Sequence, residues 1–242
     1  MHPSHFSPAL SFLTRLVPPR VVDDADFPKT LPWFPATGLA VGLVAVLPAW
    51  LGLFAGHPWL QGWLIAGLSL WVTRGLHADG LADVADAWGS AATGDKFWAI
   101  MKDSRAGPFG VLWLVMAILG QTLAFGALAA TGQFLAVCWC FVMGRALSVA
   151  ALALCRRRVR PGLSSLFAPG ATTGVATFTL AQAVVLGLAA APLSTVCLGL
   201  LGSALVLAFL TRLSIRQNGF NGDFMGAAIV LGELVAALAL LA

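Results

Sequence analysis

Three aspartates at helical spacing stand out among the residues that could do chemistry. Asp79, Asp83 and Asp86 are separated by four and three residues in the segment HADGLADVADAW. With about 100° of rotation per residue, a helix places their side chains within an arc of roughly 60°. Carboxylates at this spacing repel one another, and a bound cation would relieve the repulsion. Hard oxygen ligands without thiols favour Mg²⁺ or Mn²⁺, so we interpret the three residues as metal ligands and candidate catalytic groups.

His77 lies two residues ahead of these aspartates, and the sequence leaves its role open. It could be a metal ligand, a general base or a helix-capping group. The whole segment could also be a solvated acidic helix that binds nothing. We favour a metal site because charge is scarce in this chain, in which only 10% of the residues are charged.

A second group consists of Lys102, Asp103 and Arg105 in the segment MKDSRAGPFG, just before an apolar run. Lysine and arginine side chains bind phosphate oxygens, and arginine can do so through two parallel hydrogen bonds. Asp103 could add a further metal ligand. The alternative is a cationic anchor for the following membrane span, which would need no acid.

Two further polar segments are open to more than one interpretation. Asn221 and Asp223 flank a glycine ahead of the last apolar run. The glycine permits close approach of a ligand, and either polar side chain could instead cap the helix. The four arginines within 156–160 could meet lipid head groups or an anionic substrate.

The elements that must position these residues are apolar helices. Of the 242 residues, 59% are hydrophobic and 10% are charged, whereas soluble domains have about 25% charged residues. This composition excludes a soluble enzyme, a disordered chain and a fibrous repeat. We predict an all-α polytopic membrane bundle in one domain over residues 1–242, with a short acidic helix at the cytoplasmic interface. About seven runs are long enough to span a bilayer: 36–54, 59–75, 108–130, 133–154, 171–191, 193–211 and 224–242.

Charge is confined to one side of this predicted bundle. Apart from Arg145 and Glu233, every Lys, Arg, Asp and Glu falls in the segments 1–35, 74–105, 155–160 and 212–223. The positive-inside rule places this face and the N-terminus in the cytoplasm. Arg145 and Glu233 each lie about 15 Å below that face. Equal depth and opposite charge predict a buried pair, formed directly or through a substrate.

Several motifs occur along the chain in the order expected of one family. They are FLTR at 12–15, WFP at 33–35, GLHADGLAD at 75–83, MKDSR at 101–105, GR at 144–145, NGD at 221–223, and Glu233. With these motifs the chain resembles the adenosylcobinamide-GDP ribazoletransferases, or cobalamin-5′-phosphate synthases. It departs from the usual pattern at Phe220-Asn221, where many members have Leu-Thr, and at Pro108, where a small or polar residue is usual.

The resemblance implies a reaction, a cofactor and a location. α-Ribazole, or its 5′-phosphate, is joined to adenosylcobinamide-GDP with release of GMP, in a Mg²⁺-dependent step at the bacterial inner membrane. It implies catalytic roles for Asp79, Asp83, Asp86 and His77, with the general base expected among the aspartates. Asp79, Asp83, Asp86 and Asp103 would hold the metal. The residues expected to contact substrate or phosphate are Arg15, Lys102, Arg105, Arg145, Asn221, Asp223 and Glu233.

Two other functions remain possible on the sequence alone. A CDP-alcohol phosphotransferase would carry out the same displacement, but Asp83-Val84 stands where that family has Ala-Arg. A transporter could use Arg145 and Glu233 to line a path, but transporters usually show internal repeats and charges on both sides of the midplane. The expected partners are the two substrates and the lipid bilayer, with no nucleic acid, and a second copy of the chain is a further candidate partner.

Overall fold

The computed structural model describes residues 5–103 and 105–242, and this part of the chain is helical without any strand. The all-α prediction is therefore confirmed. Short 3₁₀ turns extend some of the helices, and one isolated bridge joins Val159 to Phe220. The α-helices are α1 Phe6–Leu13, α2 Phe27–Thr30, α3 Phe34–Trp50, α4 Pro58–Val72, α5 Leu76–Gly89, α6 Asp95–Met101, α7 Pro108–Ala130, α8 Phe134–Cys155, α9 Leu163–Phe167, α10 Thr173–Ala190, α11 Leu193–Arg216 and α12 Gly222–Ala239.

Six helical segments in the described residues are long and apolar enough to cross a membrane, one of them running from Phe27 through α3. The seventh predicted span, 59–75, is shorter than expected. It forms α4, whose 15 residues rise only about 22 Å against a hydrocarbon core of about 30 Å. The chain turns at Arg74 and Gly75, whose φ angles are +58° and +68°, and enters α5 immediately. The acidic helix α5 thus follows the shortened α4 after only three residues.

Helix α8 is the centre of the bundle, and nearly all of its side chains are buried. It packs most extensively against α3 and α12. Small residues make these crossings close: a side chain on Gly38 would meet the Phe141 backbone, and one on Gly144 would meet the backbone of Ile229. Close backbone approach through glycine is typical of helices that associate in membranes.

Helix α5 lies between α7 and α12. Its contact with α12 depends on Gly80, since a Cβ atom there would lie 2.9 Å from the Cα and carbonyl oxygen of Asp223. One turn further along α12, a Cβ on Gly226 would lie 3.1 Å from the carbonyl oxygen of His77. The two glycines bring the first turn of α12 against the aspartate-bearing helix.

We predict that Gly80→Ala destabilises the protein by about 1–3 kcal/mol, because backbone atoms of α12 cannot give way as a flexible side chain can. Displacement of Asp223 should also lower activity. The measurement is thermal unfolding of the protein in lipid nanodiscs. Gly67→Ala is the matched control, since Gly67 lies in α4 with open space around it. Equal stability of the two variants would contradict the proposed contact.

Candidate active site

A cleft of about 870 Å³ opens beside the acidic helix, and we call it the larger cleft. Asp79 and Asp83 of α5 line it on successive turns of one helix face. Its charged lining is balanced, with three acids and three bases among the described residues: Asp79, Asp83, Asp103, Arg20, Arg74 and Lys102. Lys102 and Asp103 thus line the same cleft as Asp79 and Asp83.

Asp83 is the most perturbed acid in this cleft. Burial, together with the negative charges of Asp223, Asp79 and Asp86, raises the pKa of its carboxyl to about 7, and burial is the largest of these causes. An ordinary aspartate has a pKa near 3.9. In the absence of a cation, Asp83 therefore keeps a proton over much of the range in which its exposed counterparts have lost theirs. A bound cation would favour the ionised form.

Asp86 has a different role from the one predicted. Both of its oxygens accept hydrogen bonds from backbone N–H groups, those of Gly107 at 2.7 Å and Gly110 at 2.8 Å. The carboxylate thereby binds the free N–H groups at the start of α7, where negative charge is favourable. Asp86 does not line the larger cleft. The structure places it as the link between α5 and the segment that carries Lys102.

Asp103 and Arg105 form an ion pair with each other. The Arg105 guanidinium donates to both Asp103 oxygens, at 3.0 and 2.7 Å, and holds the pKa of this carboxyl at about 2. The Arg105 side chain is 87% exposed and does not line the cleft. Ser104, which completes this motif, lies outside the described residues.

Two basic residues that line the cleft, Arg74 and Arg20, were not predicted from the sequence. Arg74 turns into the cleft because its backbone adopts a positive φ between α4 and α5. Its guanidinium also donates to the Phe12 carbonyl oxygen at 3.1 Å. Arg20 reaches the cleft from the loop after α1, where the N–H of Arg20 donates to the Ser11 hydroxyl at 3.0 Å. The position of Arg74 directly before the acidic motif is the one signal that could have indicated it.

A second, smaller cavity of about 320 Å³ lies on the other side of Asp79. It is lined by His77, Asn221 and Asp223 together with apolar side chains. Asn221 caps α12, accepting a 3.4 Å hydrogen bond from the N–H of Phe224, and donates to Asp223 at 2.6 Å. Of the two interpretations of Asn221, the capping role is therefore confirmed.

His77 is buried in the first turn of α5. Burial and the positive charge of Arg145 lower the pKa of its imidazole well below the ordinary value. The ring is neutral at physiological pH and remains able to accept a hydrogen bond. Its Nε2 atom has no hydrogen-bond partner among the described residues.

Arg145 and Glu233 form the predicted buried pair, in direct contact. Gln121 donates to the second Glu233 oxygen at 2.9 Å, and all three side chains are buried. Neither charged residue lines the larger cleft or the smaller cavity. The pair joins α8 to α12, and its contact with substrate stays a prediction.

Arg15 and the arginine run are placed away from both cavities. The Arg15 guanidinium lies 4.8 Å from the centre of the Trp71 ring, a cation–π contact at the end of α4. Arg160 stacks on Trp98 at 4.4 Å, and Arg156 donates to the Pro169 carbonyl oxygen at 3.1 Å. These contacts fix loops and leave no arginine of 156–160 on a cavity wall.

The carboxylate oxygens that line the cleft fit a Mg²⁺ ion that is bound together with a substrate phosphate. In residues 5–103 and 105–242, no three His, Cys, Asp or Glu side chains converge to bind one ion on their own. Asp79 and Asp83 nevertheless line one wall of the cleft together. Mg²⁺ sites commonly use one or two carboxylates, substrate phosphates and water in place of an all-protein cage.

Comparison with known proteins identifies the family of the chain. The family model described as cobalamin-5-phosphate synthase matches residues 5–241. The chain belongs to this family. It is 45% identical over 227 residues to the adenosylcobinamide-GDP ribazoletransferase of Nitratidesulfovibrio vulgaris strain Miyazaki F, covering 94% of this chain and 90% of the relative. The protein of the same name from Klebsiella pneumoniae strain 342 is 34% identical over 254 residues, covering 98% of each. No solved structure matches the chain.

Membership of the cobalamin-5-phosphate synthase family confirms the resemblance and makes the chain a transferase of cobalamin biosynthesis. The apolar helices make it a multi-pass membrane protein. Neither a CDP-alcohol phosphotransferase nor a transporter is needed to account for the charged cleft.

We predict that Glu233→Leu alone costs about 3–5 kcal/mol of unfolding free energy, because it leaves Arg145 charged and unpaired in an apolar core. The double variant Arg145→Met/Glu233→Leu should recover most of this loss. Thermal unfolding in nanodiscs measures both. Additive losses in the double variant would show that the pair has no energetic coupling.

A second prediction concerns the pH dependence of stability in metal-free protein. The raised pKa of Asp83 means that the folded state binds more protons than the unfolded chain between about pH 4 and pH 7. The unfolding free energy contributed by this group therefore falls as the pH rises through that window. Unfolding in EDTA should show the fall, and Asp83→Asn should flatten it.

Asp24→Asn is the control for this experiment, since Asp24 is exposed and lies on neither cavity. It should leave the pH profile of the wild type unchanged. A wild-type profile that Asp83→Asn does not alter would contradict the assignment.

Proposed function

We propose that this chain joins α-ribazole, or α-ribazole 5′-phosphate, to adenosylcobinamide-GDP and releases GMP. The observation that supports this most is the larger cleft, in which Asp79 and Asp83 lie on one wall and Lys102 lines the same space. Carboxylates that hold Mg²⁺ and cations that hold phosphate oxygens are the two requirements of phosphoryl transfer. The named relatives carry this activity in their names.

The reaction needs charge neutralisation more than covalent catalysis. A ribose hydroxyl oxygen forms a bond to the cobinamide-side phosphorus, while the bond from that phosphorus to the GMP oxygen breaks and GMP leaves with the electron pair. Lys102, Arg74 and Arg20 would bind non-bridging oxygens of the pyrophosphate. When bound, Mg²⁺ supplies further positive charge to the leaving phosphate, held by Asp79 and Asp83.

The site faces the cytoplasm in this proposal. The charged segments of the sequence lie on the side of the bundle where α3, α7 and α12 begin, and the positive-inside rule assigns that side to the cytoplasm. The N-terminus and the cleft then share the cytoplasmic face of the bacterial inner membrane. Both substrates would enter from that side.

The test is a transferase assay on the full chain in nanodiscs with adenosylcobinamide-GDP, α-ribazole and Mg²⁺. We expect GMP and a completed corrinoid in equal amounts by liquid chromatography and mass spectrometry. Asp79→Asn should lower the rate by at least about 100-fold, and EDTA should abolish it. The exposed variant Asp24→Asn should keep the wild-type rate. Activity that survives both Asp79→Asn and EDTA would overturn the metal assignment, and absence of GMP from the wild type would overturn the function.

A further inference from the structure

The two cavities beside Asp79 differ in charge. Arg20, Arg74 and Lys102 line the larger cleft, whereas no Lys or Arg lines the smaller cavity among the described residues. Asp79 borders both, so a reaction between two bound substrates can occur where they meet. A pyrophosphate would bind on the cationic side. The smaller cavity suits the uncharged part of the second substrate.

The smaller cavity also has the size and shape for a flat aromatic group. At about 320 Å³ it is at the lower end of small-molecule sites and far too small for a corrinoid. Phe12, Phe34 and Phe167 line it, with the Phe167 ring 5.2 Å from Phe12 and 5.7 Å from Phe34 between centroids. Such an array presents ring faces and edges to an aromatic base.

Polar groups also line this cavity. The Asp223 carboxylate accepts a hydrogen bond from the Asn221 amide at 2.6 Å. His77 lines the same cavity and is only 6% exposed. Ribose hydroxyls both donate and accept hydrogen bonds, and they match this set.

We propose that the smaller cavity is the subsite for the acceptor nucleoside, with its base against the phenylalanines and its ribose at Asp223. This rests on the proposed function. Asp223 takes the proton of the attacking ribose hydroxyl as the oxygen bonds to phosphorus and the bond to GMP breaks, and the proton then passes to solvent. Asp223 is thereby a catalytic residue, and Met225, on the same wall, sets the space for the base.

Calorimetric binding of α-ribazole to the full chain in nanodiscs tests the subsite without turnover. Met225→Phe fills the cavity and Phe34→Leu removes an aromatic ring, so each should weaken binding about tenfold. Arg20→Ala, on the larger cleft only, is the matched control and should bind α-ribazole as the wild type does. The proposal would be overturned if Arg20→Ala weakened α-ribazole binding while Met225→Phe and Phe34→Leu left it unchanged.

Initial rates separate binding from chemistry. Met225→Phe should raise the KM for α-ribazole and leave that for adenosylcobinamide-GDP near its wild-type value, whereas Arg20→Ala should do the reverse. Asp223→Asn should lower kcat at least about 100-fold with little change in the α-ribazole KM. A kcat of Asp223→Asn equal to that of the wild type would show that Asp223 does not accept the proton. A wild type that binds α-ribazole but releases no GMP would instead count against the proposed function alone.

Discussion

The site depends on one close contact, the crossing of α5 and α12 at Gly80. Without a side chain at this residue, the backbone of Asp223 approaches α5 closely enough that its charge raises the pKa of Asp83. The contact thus joins two segments more than 130 residues apart in sequence into one acidic centre. Asp79, one turn before Asp83 on α5, lines both the larger cleft and the smaller cavity.

The repulsion at this centre has to be balanced by the rest of the fold. Beneath it, the buried contact of Arg145 with Glu233 joins α8 to α12, and Gln121 of α7 adds a 2.9 Å hydrogen bond. Beside it, Asp86 binds two backbone N–H groups at the start of α7. Each interaction is formed by one of the helices that enclose α5. These interactions hold the carboxylates close to one another, at a cost to stability that a bound cation would reduce.

The sequence predicted the parts of the site that depend on helical periodicity or on the scarcity of charged residues. Asp79 and Asp83 lie on successive turns of one helix face. Arg145 and Glu233 are isolated charges of opposite sign, which pair with each other in an apolar core. It could not predict partners set by tertiary contact. Asp86 has the same helical phase as its neighbours, yet two backbone N–H groups of α7 occupy its oxygens.

The short length of α4 was not predicted from the sequence, for a related reason. The length of this helix determines where the site lies. The apolar run ends at Val72, and the positive φ angles of Arg74 and Gly75 then end the helix. Helix α4 is therefore about 8 Å shorter than a full span. Helix α5 begins directly after this turn, where Arg74 lines the cleft. A membrane bundle with one shortened helix can thus bring acidic and basic side chains together on one cleft, at the turn that follows that helix.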